Sequence, residues 1–276
     1  MIIDAHQHFW KYNSSEYNWI DDHMNSLKND FLPDELLNHL ELNNVDGSIV
    51  IQARQTIEES EWLLKLSDQY DFIKGVVGWI DLQSEQVEEQ LERFSNHPKF
   101  VGVRHVLHDE EDDNFMLNQK FLNGIKLLSM YDLTYDILIF PRHLANALKF
   151  VKYFPDQKFV IDHMAKPGIR DQIMEPWKKE IKRIAGFPNV FCKVSGMVTE
   201  ADWQNWKTTD VYPYMDVVFD AFGTKRTMFG SDWPVCTLAG DYNSVFNIVF
   251  DYMKTSTIDE WNDVFGKTAE GFYKIN

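Results

Sequence analysis

The chain alternates short apolar runs with longer segments of helical periodicity. The runs are Ile2–Asp4, Gly47–Gln52, Ile73–Asp81, Phe100–Val106, Thr134–Phe140, Lys158–Met164, Val190–Ser195 and Thr227–Asp232. Most are β-branched or aromatic rather than cleanly alternating, the pattern of parallel strands buried on both faces. The spacers carry apolar residues at helical spacing. Pro33–Asn43 opens on Pro-Asp-Glu, a favourable first turn, and holds Leu36, Leu37 and Leu40. Glu58–Gln69 holds Trp62, Leu63 and Leu66; Ser84–Phe94 holds Val87, Leu91 and Phe94, with Ser84 as N-cap. Asn118–Ser129, Arg142–Tyr153, Ile173–Ala185, Tyr212–Phe222, Asp241–Met253 and Ile258–Tyr273 follow the same period. Eight strands alternating with about eight helices predict a (β/α)8 TIM barrel, here one domain over residues 1–276. A doubly wound open sheet competes, but the turn after the first run is His-Gln-His and lacks the glycines of a dinucleotide-binding turn.

A barrel carries its chemistry at the C-terminal ends of its strands. The polar residues that fall there are His6 and His8 on run one, Arg104 and His105 on run four, Asp162 and His163 on run six, and Ser231 and Asp232 on run eight. Tyr135 and Asp136 lie nearer the start of run five, and Lys193 lies within run seven. Polar groups among apolar strands are costly unless paired. His6 and His8, two apart on a strand, face one side. With His163 and Asp232 they can reach one point above the barrel. Arg104 and His105 are adjacent and point to opposite faces, so one of them is expected to miss the site. Two long polar loops, Lys11–Asp30 and His108–Leu117, follow strand ends. The acidic Asp109–Asp113 stretch lacks the spacing and glycine of a calcium loop and reads as a solvated loop.

Composition narrows the class. The chain carries 27 basic and 43 acidic residues, a net charge of −16, which argues against nucleic acid and anionic membranes as partners. Cys192 and Cys236 make no disulfide framework, and no apolar run reaches membrane-spanning length. These features lead to the expectation of a cytoplasmic protein. No pattern in the chain sets an oligomeric state.

The blocks DAHQHFW (Asp4–Trp10), GVRHV (Gly102–Val106), YDILIFPRHL (Tyr135–Leu144), FPDQKFVIDHMAKP (Phe154–Pro167), CKVSGMVTEADW (Cys192–Trp203) and GSDWPVC (Gly230–Cys236) run nearly the length of the chain. In them it resembles the amidohydrolase superfamily, and within it the sugar-lactonase branch of L-fuconolactonase- and L-rhamnonolactonase-like proteins. The resemblance implies a hydrolase that opens a small-molecule sugar lactone. It implies catalytic roles for Asp232, His163, His6, His8 and one of Arg104 and His105. Asp232 is the expected base on a water. Trp10, Trp19, Lys166 and Trp233 are expected around the sugar.

Fuller amidohydrolases hold two metals, using a carboxylated Lys or a Glu on strand four and a His on strand five. Arg104 and His105, then Tyr135 and Asp136, stand there instead. This leaves one divalent cation, zinc by ligand type, on His6, His8 and Asp232, or a metal-independent site. Arg104 opposes a cation. The competing activity is dicarboxylate lactone hydrolysis or non-oxidative decarboxylation, which calls for several pocket arginines; Arg104, Arg142 and Arg170 are the candidates.

Overall fold

The computed structural model describes residues 1–275. Eight strands form one parallel sheet in sequential order: β1 (Ile3–Gln7), β2 (Gly47–Ile51), β3 (Ile73–Gly78), β4 (Phe100–Val106), β5 (Thr134–Leu138), β6 (Phe159–Ile161), β7 (Val190–Val194) and β8 (Thr227–Phe229). Each pairs with the next in parallel, as β/α alternation requires. Helices α1 (Pro33–Leu42), α2 (Ile57–Gln69), α3 (Val87–Ser95), α4 (Gln119–Leu128), α5 (Leu144–Tyr153), α6 (Trp177–Ile184), α7 (Thr208–Phe222) and α8 (Tyr242–Tyr252) connect the strands and extend beyond the last. The segment from Ile258 to Tyr273 is a helix interrupted by a π-helical stretch, Asp263–Lys267. This is the (β/α)8 barrel the pattern predicts. Among the described residues no helix is long and apolar enough to cross a membrane.

The departures from expectation have local causes. Run six forms only three strand residues because His163, Met164, Ala165 and Lys166 all adopt left-handed backbone. Run eight likewise ends at Phe229, ahead of left-handed Asp232. Ser84 does not cap α3: its Oγ accepts from Gln86 N in a turn, and the helix begins at Val87.

Strand β1 meets β8 only at their ends, through backbone bonds from Asp232 N to His6 O (2.8 Å) and from His8 N to Trp233 O (2.7 Å). Buried Asp4 reinforces this seam. Its Oδ1 accepts from Ser231 N (2.8 Å) and His6 N (3.2 Å), and its Oδ2 accepts from Tyr242 OH (3.2 Å). Burial outweighs these donors and raises its pKa to about 6.

Because that folded value lies above the ordinary 3.8, Asp4 adds stability fully below 3.8 and loses it as pH rises through about 6. Asp4→Asn keeps an acceptor and does not titrate. Its unfolding free energy relative to wild type is expected to improve between pH 4 and pH 7, by up to about 3 kcal/mol. Asp4→Ala strands two buried N–H groups and is expected to cost about 2–4 kcal/mol at any pH. Urea unfolding across that range checks both; a flat Asn-minus-wild-type difference would contradict the account.

Candidate active site

Four side chains converge above the seam. His6 Nε2 and His8 Nε2 stand 3.2 Å apart, and Asp232 Oδ1 lies 3.8 Å from His6 Nε2, 3.4 Å from His8 Nε2 and 3.8 Å from His163 Nε2. All four side chains are buried or nearly so. Each imidazole is oriented from behind. His8 Nδ1 lies 2.8 Å from Ile51 O, His163 Nδ1 lies 2.9 Å from Ser195 Oγ, and His6 Nδ1 lies 3.3 Å from Asp162 Oδ1. Such partners fix which ring nitrogen faces inward.

The backbone that presents these groups is unusual. His163 sits at φ 52° at the start of a left-handed run of four, and Asp232 sits at φ 57°. Non-glycine residues there cost about 1 kcal/mol each or more and persist only where the surroundings hold them. Here Trp177 Nε1 donates to Met164 O (2.7 Å) and Lys166 N to His163 O (2.8 Å). The turn lifts His163 out of the strand and over the mouth.

Below lies a buried network of charge. Arg104 Nη1 lies 3.1 Å from Asp162 Oδ2 and 3.4 Å from His6 Nε2, and its Nη2 donates to Gln52 O. Lys193 Nζ pairs with Asp136 and with Asp162 Oδ1 (3.0 Å), and sits 3.3 Å from His6 Nδ1. Tyr273 OH donates to Asp136.

The electrostatic consequence is a fixed protonation pattern. Burial lowers the pKa of His6, His8 and His163, against the pull of nearby carboxylates, so all three are neutral at pH 7. Burial raises Asp232, but His163, His8 and Lys166 outweigh it, and its pKa falls below 3.8. The centre therefore presents an ionised carboxylate among neutral imidazoles, with the Arg104 guanidinium beside them.

The donor set suits a metal ion. His6, His8 and Asp232 offer ligand atoms within 4.8 Å of one another. With their Nδ1 atoms facing Asp162 and the Ile51 carbonyl, both histidines can turn an Nε2 lone pair to the same point, as a metal needs. Arg104, close to the same Nε2 of His6, opposes it.

The pocket over this centre is lined by His8, Arg104, His163 and Asp232 at its base and by Trp19 and Lys166 higher up. His105 is not there. It stacks on Phe115 at 4.8 Å between ring centroids, with Nδ1 accepting from Trp79 Nε1 and Nε2 2.6 Å from Glu110. Strand alternation turns Arg104 inward and His105 outward toward α4. Trp10 and Trp233, expected around the sugar, are also outside the pocket lining. Trp10 is fully buried, donates to Leu27 O and Asn29 O, and packs against Phe31, organising the Lys11–Asp30 loop. Trp233 packs against Phe9 and Phe31.

Sequence reasoning missed His108, Asp109, Phe140, Glu200 and Trp203, all of which line the pocket. His108 and Asp109 open a loop that the sequence marks by its length and its acidic stretch, which reads as solvated. Glu200 and Trp203 lie inside the CKVSGMVTEADW block. Glu200 meets Lys166 at 2.7 Å and so joins the loops after β6 and β7.

Residues 3–275 match the amidohydrolase family. The chain belongs to that family. It is 36% identical over 284 residues to an L-fucono-1,5-lactonase of Burkholderia multivorans, covering 99% of this chain and 96% of the relative. A crystal structure of a Burkholderia multivorans amidohydrolase with bound zinc matches it with a TM-score of 0.97 at 36% identity, over 100% of both chains. Another crystal form of an amidohydrolase from that organism, with bound HEPES, also matches with a TM-score of 0.97, at 35% identity and 100% coverage of both.

His163 is held against Gly196, whose φ is +61° and where an added Cβ would stand 2.5 Å from His163 Nδ1. Gly196→Ala is therefore expected to displace His163 and leave the barrel folded. The far-ultraviolet circular dichroism should be that of wild type. The pKa of His163, followed by its imidazole NMR signals, should move back toward 6.5 as its cage opens. An unmoved signal would show that the glycine does not set the histidine's position.

Proposed function

We propose that this amidohydrolase opens the ester of a sugar-derived lactone to the sugar acid, with Asp232 as general base. The observation that carries the reading is the ionised Asp232 carboxylate within 3.4–3.8 Å of three neutral imidazoles, at the base of a pocket that Arg104 also lines. The named activity of the 36%-identical Burkholderia multivorans relative supports it.

In this reading Asp232 takes a proton from a water as its oxygen attacks the lactone carbonyl. Negative charge grows on the carbonyl oxygen. The Arg104 guanidinium and any inward-facing imidazole N–H stabilise it, and being fixed and desolvated they need no reorganisation. When the intermediate collapses, the ring C–O bond breaks. The departing alkoxide receives the proton from Asp232, directly or through His163. One water is consumed and one hydroxy acid forms. Lys166 and Trp19 lie above this centre, where a sugar would sit.

His6, His8 and Asp232 would hold a divalent ion, zinc by ligand type, which when bound supplies a Lewis acid and a more acidic water. We read it as dispensable for turnover, because Arg104 already brings a fixed positive charge to His6 and a lactone is an activated ester.

The pocket lining favours a sugar over a dicarboxylate. It contains one arginine, Arg104, already paired with Asp162. Arg142 pairs with Asp113 outside the lining, and Arg170 is exposed. Two tryptophans, Trp19 and Trp203, line the walls.

Proton release over a panel of aldonolactones tests the assignment, and hydrolysis should persist in chelator. Hydrolysis of none of them would overturn it. Asp232→Asn is expected to lower kcat by roughly 10²–10⁴-fold with the fold intact. Near-normal turnover in that variant would remove Asp232 as the base. Since the active form is ionised Asp232, whose pKa is depressed, kcat/KM should stay level on acidification until below 3.8. An acid limb between 3.8 and 6.5 would assign the base to a histidine instead.

A further inference from the structure

The pocket has two unlike arcs. The loops after β8, β1 and β2 bring Val235, Leu238, Trp19, Met24 and Ala53, a largely apolar arc. The loops after β4 to β7 bring His108, Asp109, Lys166 and Glu200 among apolar residues such as Phe140. In an eight-strand barrel β4 stands opposite β8, so the β4 loop faces the Asp232 loop across the mouth.

His108 sits in the tight turn Leu107–Asp109 that follows β4 directly. Its Nδ1 lies 2.7 Å from Asp109 Oδ1. Its ring packs on Phe140 with centroids 4.7 Å apart, and Arg142 Nη2 donates to its carbonyl at 3.2 Å. The side chain is 15% exposed. Among the described residues no protein group bonds its Nε2. A neutral imidazole carries one proton, and a carboxylate at Nδ1 holds it there. Nε2 is then left as a lone-pair acceptor. Burial, helped by Lys166 and Arg104, keeps the ring neutral against the pull of Asp109.

We propose that His108 is a specificity-determining residue: locked by Asp109, it presents Nε2 as an acceptor to one hydroxyl group of the sugar lactone. This rests on the lactonase reading above. A hydroxyl donates to Nε2 and replaces the water that solvates it in the free enzyme. A lactone with hydrogen in that place strands a desolvated acceptor, and such a mismatch is penalised more heavily than the hydrogen bond is rewarded. The Lys166–Glu200 pair, at 2.7 Å on the same arc, adds a donor and an acceptor for neighbouring hydroxyls. The residue reads the substrate and takes no part in attack on the carbonyl.

The test compares L-fucono-1,5-lactone with δ-valerolactone, which has the same ring size and no hydroxyl groups. In His108→Leu, kcat/KM for the sugar lactone should fall roughly tenfold, and that for δ-valerolactone should hold or rise because no acceptor is left stranded. His108→Gln, which keeps an acceptor, should recover part of the loss. Asp109→Ala, at a side chain 58% exposed, should show the same selectivity with a smaller loss, and it carries the comparison if His108→Leu does not fold. Equal loss on both lactones, or loss on neither, would overturn the proposal. A wild-type protein that hydrolyses neither would refute the lactonase reading and this one with it. One that hydrolyses the sugar lactone while the variants stay indifferent would refute only the role of His108.

Discussion

The site depends on the closure of the barrel between β1 and β8. Those two strands share few ladder bonds, and the ones they share run through the candidate site: Asp232 N to His6 O and His8 N to Trp233 O. The distance between the histidine pair and the carboxylate is thus set by main-chain bonds, with no flexible linker between them. Asp4 sits one turn of pleat below and ties Ser231 N to His6 N through a single oxygen. The same bonds close the barrel and set the centre, so a loosened seam would separate the Asp232 carboxylate from the imidazoles while most of the hydrophobic core stayed packed.

The second constraint is charge. Asp136, Asp162 and Asp232 lie within one buried region, a repulsive arrangement on its own. Lys193 and Arg104 neutralise it from inside the barrel. Asp162 is buried, yet Lys193, His6 and Arg104 hold its pKa well below 3.8. As an anion it faces Nδ1 of His6. That ordering passes upward: cations fix Asp162, Asp162 orients His6, and His6 stands beside Asp232. Removing one member of such a buried set leaves its partner uncompensated, which costs more than the pair contributed.

Much of this was legible in the sequence, for physical reasons. Long amphipathic helices and buried parallel strands write strong periodicities, so the eight-fold alternation gave the barrel. Polar residues among apolar strands have to be explained, which singled out His6, His8, His163 and Asp232. The chain is silent where three-dimensional neighbours decide. Run four offers Arg104 and His105 as equals, and only the strand's phase sends one into the mouth and the other against Phe115. Trp10 and Trp233 sit beside site residues in sequence, but large aromatic rings next to a barrel seam are more readily absorbed by packing than presented to a ligand. Lys166 pairs with Glu200 across 34 positions of chain, and no local pattern announces such a contact.

The missing second-metal ligands take on a meaning once the interior is seen. Binuclear amidohydrolases place a bridging lysine or glutamate on strand four and a histidine on strand five. Here Arg104 points inward from β4, and Asp136 of β5 is bound to Lys193 of β7. Two covalently held positive charges therefore stand beneath His6. An ammonium and a guanidinium cannot deliver a hydroxide, but they hold Asp162, and through it His6, in a fixed ionisation state. Permanent cations give a steady field where a metal ion would give both field and nucleophile. In the proposed reading the burden of activating water then falls on Asp232. That division suits an ester already activated by its ring more than an amide, whose poorer leaving group asks for stronger polarisation.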